Sequence, residues 1–243
     1  MTQTKTTDLV LAQVIADGIK TNLNKVKFTP VAFTQDFSNT QAGTIVVPTY
    51  KYIGDADIVA EGVPMDPTKM SQTSEEVKIK KAGKAVELTD EARRGAIGNP
   101  VAETEAQLTA SVVGRIEADL AADLATATQT ATGEADYSGI IAGQAVFGDN
   151  ADQPFVIFAN PADMVGFGGD KTVREGNFNI VYTSKVEAGT FYLVQEGALG
   201  LYFADKVEVE TDRDILSKTT VFAADALYAT HLRDASKVVK VSK

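Results

Sequence analysis

Cysteine is absent from this chain of 243 residues, and histidine occurs once. The first absence removes disulfide frameworks, thiol nucleophiles and cysteine zinc sites together. The second leaves the commonest general base at a single place, His231, so Ser-His-Asp chemistry would depend on one residue near the C-terminus. The ordinary setting for such a residue is a surface or partly buried strand. No apolar run approaches the ~18–20 residues that span a bilayer, and the short apolar stretch near the N-terminus is interrupted by Gln13 and Asp17. Neither a membrane helix nor a signal peptide is therefore read. There is no D-x-D-x-D-G loop and no H-E-x-x-H, and Gly166-Phe167-Gly168-Gly169 satisfies neither phosphate-loop spacing, so it reads as a turn. No catalytic, cofactor-binding or metal-binding residue is assigned.

Basic residues are missing from the middle of the chain. Between Gly95 and Asp170 eleven acids face the single base Arg115, a net of −10 that equals the charge of the whole protein. By contrast Lys78, Lys80, Lys81 and Lys84 form a basic cluster. Either group reads first as a solvated face; the alternative is electrostatic pairing between copies of the chain, which sets register more than affinity. On that reading the subunit-interface candidates are Lys78, Lys80, Lys81 and Lys84 against Glu103, Glu117, Asp119 and Asp123. Asp119 and Asp123 are expected on a solvated edge of their helix. No basic groove large enough for sequence-specific nucleic-acid binding is present.

What remains is ordinary globular text, 44% hydrophobic and 23% charged, long enough for one large domain or two joined ones. Residues 8–23 have helical spacing, and residues 44–50 have the β-branched density of a strand. Residues 52–74 are rich in turn formers, with almost nothing to bury, and residues 76–88 return as an extended arm. An isolated two-stranded ribbon is marginal in water, so the hairpin from about Gly54 to Lys84 is expected to project and to pack on another molecule. Thr89-Asp90-Glu91 and Asn99-Pro100 are helix starts. The second opens an alanine-rich helix, residues 100–126, about 40 Å long at 1.5 Å per residue, expected to pack closely on a sheet. Residues 126–148 have low propensity for either structure. Strands follow at 154–159, 179–182, 190–194, 199–203, 206–210, 219–230 and 237–241, with a proline helix start at Asn160-Pro161.

The order of these features resembles the Hong Kong 97-type major capsid proteins of tailed phages. The resemblance runs from about Thr44 to the C-terminus. It covers the strand ending near Pro48, Ala60-Glu61-Gly62 before the loop, Val77-Lys78-Ile79-Lys80-Lys81 after it, Leu88-Thr89-Asp90-Glu91, and the long helix, which is similar to the family's spine helix. Phe158-Ala159-Asn160-Pro161-Ala162-Asp163 is similar to the strand-to-helix step of its axial domain. The implied fold is α+β, with an N-terminal arm (1–43), a strand and extended loop (44–88), a peripheral domain with the spine helix (89–130), an axial domain (131–200) and C-terminal strands returning to the peripheral domain (201–243).

The resemblance implies a non-enzymatic shell subunit of the virion, assembled in the host cytoplasm into pentamers and hexamers around double-stranded DNA that is contacted non-specifically. Its implied partners are further copies of itself, a separate scaffold, a portal and head-tail connector proteins, with no membrane. No fused scaffolding domain is expected, which leaves a separate scaffold or an already processed protein. Some members cross-link Lys to Asn; Lys69 lies near the loop tip, but no asparagine follows Asn179, so the acceptor is missing. An encapsulin-type nanocompartment shell is the alternative within the fold. A hydrolase using Asp119 and Asp123, and a bacterial surface module, are the alternatives outside it.

Overall fold

The computed structural model describes residues 13–19, 21, 26–37, 43–50, 53–54, 56–59, 61–62, 64–65, 67–95, 98–168 and 178–243, with only the backbone of 178 and 204–207. The arm before residue 13, and Gly169 and Asp170, lie outside the described residues. Residues 13–19 are helical, within the expected helix, and bury Ile15 and Ile19.

The strands are β1 (Ala32–Phe37), β2 (Thr44–Tyr50), β3 (Gln72–Lys78), β4 (Lys80–Thr89), β5 (Gln129–Thr132), β6 (Phe155–Ala159), β7 (Phe178–Tyr182), β8 (Thr190–Gln195), β9 (Leu199–Asp214), β10 (Thr219–Leu232) and β11 (Val238–Ser242). Besides the helical residues 13–19, the described residues form the α-helices α1 (Asp90–Gly95), α2 (Pro100–Ala125) and α3 (Tyr137–Val146). One sheet has the order β1-β9-β10-β4, a second β5-β11-β8-β6-β7, and β2-β3 stand as a two-stranded ribbon.

Helix α2 starts where the sequence places it. Asn99 accepts a hydrogen bond from the Ala102 amide at 3.3 Å and Pro100 takes the first turn, which satisfies an orphan amide and uses a residue that lacks one. Its buried stripe is Leu108, Val112, Ile116, Leu120 and Leu124. It packs on β10, whose buried residues alternate as Phe222, Ala224, Ala226 and Tyr228. The two alanines let helix and sheet approach, and each large side chain sealed here contributes about 1.5–3 kcal/mol.

A second core joins Ile140 of α3 to Phe155, Ile157, Phe191, Leu193, Val239 and Val241. Residues 126–148 are thus more ordered than their propensity indicates. Asp136 caps α3 through the Gly139 amide at 2.9 Å, and a Cβ at Gly143 would come within 2.9 Å of Leu193 and Val241. Glycine is a poor helix former kept here because the sheet lies so close. The Asn-Pro-x-Asp step also has a structural purpose. Asn160 accepts from Ala162 N at 2.9 Å and donates to Val186 O at 2.7 Å, while Asp163 accepts from Gly189 N at 3.0 Å. The two side chains thereby fix the turn before β8.

Three expectations are corrected. Residues 199–203 and 206–210 belong to one strand, β9, because its ladder with β10 continues past a register shift between Ala226 and Tyr228; the broken alternation marks a bulge and not a turn. The final strand does not return to the sheet of β9 and β10: β11 pairs with β8 and β5, burying Val238, Val239 and Val241 in the second sheet. The returning arm is two elements. β3 pairs with β2 from Lys78↔Thr44 to Gln72↔Tyr50, whereas β4 runs along β10 from Lys80↔Tyr228 to Thr89↔Thr219. Only Ile79 separates them, its amide bonded to Gly43 O at 2.9 Å.

Candidate subunit interface

The β4 register decides the fate of the lysine cluster. Pairing with β10 brings Lys80 beside Tyr228, directly over α2. The Lys80 ammonium lies 3.0 Å from Asp119 Oδ2, the Tyr228 hydroxyl donates to that same oxygen at 2.7 Å, and Arg115 reaches Oδ1 at 2.8 Å. Asp119 is 5% exposed. Burial alone would raise its pKa, but the Tyr228 hydroxyl, Lys80 and Arg115 outweigh it and hold the carboxyl below its ordinary value. The same burial, reinforced by the Asp119 charge, pushes the Tyr228 hydroxyl up to about 12.

Asp119 is therefore no solvated edge. It stands three residues after Ile116, beside the apolar stripe, and Asp123 stands likewise after Leu120. Asp123 is half-buried with one carboxylate oxygen enclosed; burial raises its pKa, with the Thr230 hydroxyl and Lys80 opposing and Asp119 adding to the rise. Lys81 is also engaged within the chain, 2.6 Å from Asp225. Glu117 accepts the Lys27 amide at 3.1 Å, and Glu103 accepts from Gln107 at 2.8 Å.

Of the eight candidates the structure thus brings together Lys80, Asp119 and Asp123 inside one subunit. It leaves Lys78 and Lys84 exposed, Lys78 on the ribbon and Lys84 on the body. The expectation that all four lysines ride on the projecting arm is corrected, because ten β4–β10 pairs hold Lys80, Lys81 and Lys84 on the sheet edge. Tyr228 and Arg115 were missed. The Arg115-to-Asp119 spacing of four residues was a readable signal; the tyrosine, 109 positions away, had none. Also unforeseen is the bidentate pair of Arg213 with Asp90, at 2.6 and 3.2 Å, which ties α1 to β9.

The ribbon β2-β3 rests on the body through Ile45, Val47 and Val77 against Tyr202 and Ala229. Beyond it, residues 53–70 expose Ile53, Ile58, Val59, Met65 and Met70. The loop is richer in apolar groups than its turn-forming text indicates. Among the described residues no group of three or more His, Cys, Asp or Glu could hold a metal ion, and no helix is long and apolar enough to cross a membrane.

Comparison with known proteins agrees with this architecture. A family model described as phage capsid protein matches residues 72–241. The major capsid protein of Staphylococcus phage phiMR11 is 31% identical, over 99% of this chain and 96% of that protein. Among solved structures, the capsid of cyanophage P-SCSP1u superposes with a TM-score of 0.66 at 9% identity, covering 88% of this chain and 87% of its own. A virus-like particle from Pyrococcus furiosus superposes with 0.67 at 10% identity, covering 95% and 98%. At such identities the structures speak for the fold alone. The family match and the curated relative favour a phage capsid over a nanocompartment. The chain belongs to the phage capsid protein family, as a major capsid protein of the Hong Kong 97-like fold.

Proposed function

We propose that copies of this chain form pentamers and hexamers that close an icosahedral shell around double-stranded DNA, working with a separate scaffold, a portal and head-tail connectors and carrying out no catalysis. Assembly takes place in the host cytoplasm. The observation that carries this reading is the loop between β2 and β3, where five apolar side chains among the described residues are exposed and need a neighbour to cover them. Electron microscopy of the purified protein tests it: closed particles are expected, and a persistently monodisperse monomer contradicts it. The overall charge of −10 suits weak, non-specific contact with packaged DNA.

Subunit pairing falls on the cations that remain available. Lys80, Lys81, Lys84 and Arg115 line a groove between β4 and α2, and Asp119 and Asp225 offset only part of that charge. This groove and Lys78 are the surface for acids of a neighbouring copy. Reversing Lys78 and Lys84 to Glu is expected to shift thermal unfolding of the isolated subunit by no more than about 0.5 kcal/mol, as for surface changes generally. Capsomer yield at low salt should fall, and the parent's yield should itself decline as salt shortens the Debye length from about 10 Å at 0.1 M to about 3 Å at 1 M. Undiminished capsomer yield in the double variant makes both lysines a merely solvated face.

The shell is held without covalent links, since cysteine is absent and no asparagine follows Asn179. Boiled particles should run as one band near 25.8 kDa on a denaturing gel, and a ladder of multimers refutes this.

A further inference from the structure

His231 is the chain's single imidazole, and it lies where the ribbon meets the body. It is 7% exposed, and neither Nδ1 nor Nε2 has a hydrogen-bond partner. Its ring stacks on Tyr202, with centroids 5.6 Å apart and planes at 26°. It pairs across the ladder with Gly200, where any side chain would collide with the ring. The ribbon closes over this stack: Ile45 and Val47 of β2 and Val77 of β3 pack on Tyr202 and Ala229.

A buried polar group without a partner is costly, and natural structures seldom keep one without a reason. The charged and titratable groups around this ring are few. β3 brings Glu75, the residue pair after β10 brings Arg233 and Asp234, β9 brings the neutral Tyr202, and Asp36 at the end of β1 lines the adjoining cleft together with Lys237. β2 brings only Ile45 and Val47 to the contact.

We propose that His231 is a pH-responsive latch: the neutral ring keeps the β2-β3 ribbon docked on β9 and β10, and protonation releases the ribbon by rotation at Ile79. An imidazolium held against Tyr202 and the Gly200 backbone, 7% exposed beside the docked ribbon, is poorly hydrated and has no acceptor in place, whereas lifting the ribbon opens it to water. Burial is the main influence holding the docked ring's pKa below its ordinary 6.5; Glu75 pulls it upward and Arg233 adds to the lowering. The released ring regains the ordinary value. The docked state therefore binds fewer protons, so docking is unpenalised above 6.5 and weakens as pH falls from there towards the docked value. This is independent of whether the chains close into shells.

The absence of cysteine allows site-specific spin labels. Thr73→Cys on β3 and Leu216→Cys at the β9–β10 turn are both exposed, and their separation is read by pulsed dipolar spectroscopy in the full-length, unassembled chain. A single distance is expected at about pH 7.5. A second population should grow about tenfold for each pH unit below 6.5 until the docked ring titrates. His231→Phe, which keeps the stacking ring and removes titration, should hold the docked distance throughout. An unchanging distribution in the parent, or an equal acid response in His231→Phe, overturns the proposal. Should that variant not fold, Glu75→Gln decides: removing the carboxylate lowers the docked ring's pKa further, so the released population goes on growing to lower pH than in the parent before it levels off, and a levelling-off point that does not move overturns the proposal equally.

Discussion

Replacing residues 51–71 by Asn-Gly is expected to abolish closed particles while leaving the subunit folded. Tyr50 and Gln72 are the last facing pair of the β2–β3 ladder, and Asn-Gly is the favoured two-residue connection for such a pair, since both positions accept positive φ. The shortened chain keeps the ribbon and its contact with Tyr202 and Ala229. It loses Ile53, Ile58, Val59, Met65 and Met70, which touch little within the subunit and so contribute little to its stability. Thermal unfolding of unassembled subunits should therefore stay within about 1 kcal/mol of the parent, in the range of changes away from a core. Particles should vanish from electron micrographs and from sedimentation profiles. Normal particles from the shortened chain would place the decisive contacts elsewhere.

Asp119→Ala is the largest single-residue effect expected on the subunit itself. The carboxylate receives Lys80, Tyr228 and Arg115 at once, linking β4, β10 and α2 through one side chain. Lys80 and Arg115 are 40% and 63% exposed, so both recover water when their partner goes. The buried Tyr228 hydroxyl cannot, and an orphaned donor of that kind, together with a lost bond to a charged acceptor, costs about 2–4 kcal/mol. Denaturant unfolding measures it. Tyr228→Phe should cost less, about 1.5–3 kcal/mol for a bond to a charged group. The two changes should be non-additive, because each removes the same bond. The pH dependence has a definite sign. Since the folded carboxyl lies below the ordinary 3.8, its contribution is complete above that value and fades as pH falls through it towards the folded one. Asp119→Asn should remove that part of the acid sensitivity, and an unchanged acid limb would assign it to other carboxylates.

Local chemistry explains what the sequence made legible. Asn99 and Pro100, or Asn160 and Pro161, set helix starts through their own backbone and side chains, so no knowledge of the rest of the chain is required. The stripe from Leu108 to Leu124 is periodic enough to place α2 on a sheet. Partners set by register were not legible. Lys80 and Asp119 lie 39 positions apart, and only the ten-residue ladder between β4 and β10 brings them together. An alternation of Val77 with Lys78 and of Val86 with Glu87 looks the same whether the strand projects or lies on a body, so the switch at Ile79 was invisible. Helix α3 was hidden for the opposite reason: its glycines look like weak local text, and only the nearness of Leu193 and Val241 to Gly143, and of Phe191 and the Glu134 carbonyl to Gly139, explains them. The lone His231 was placed correctly on a strand, yet its burial beneath the ribbon depends on β2 and β3 and could not be read from its neighbours.

The passage from β3 to β4 through Ile79 alone carries one more consequence. In a shell built of both pentamers and hexamers, as proposed above, identical chains meet at more than one angle, and that variation has to be absorbed somewhere. A body bound by ten ladder pairs between β4 and β10 and a stripe of five large side chains on α2 bends poorly. One residue between two separate sheets turns at little cost, through two backbone torsions. Curvature can thus be taken up at a swivel, so that shell geometry is adjusted without repacking either core.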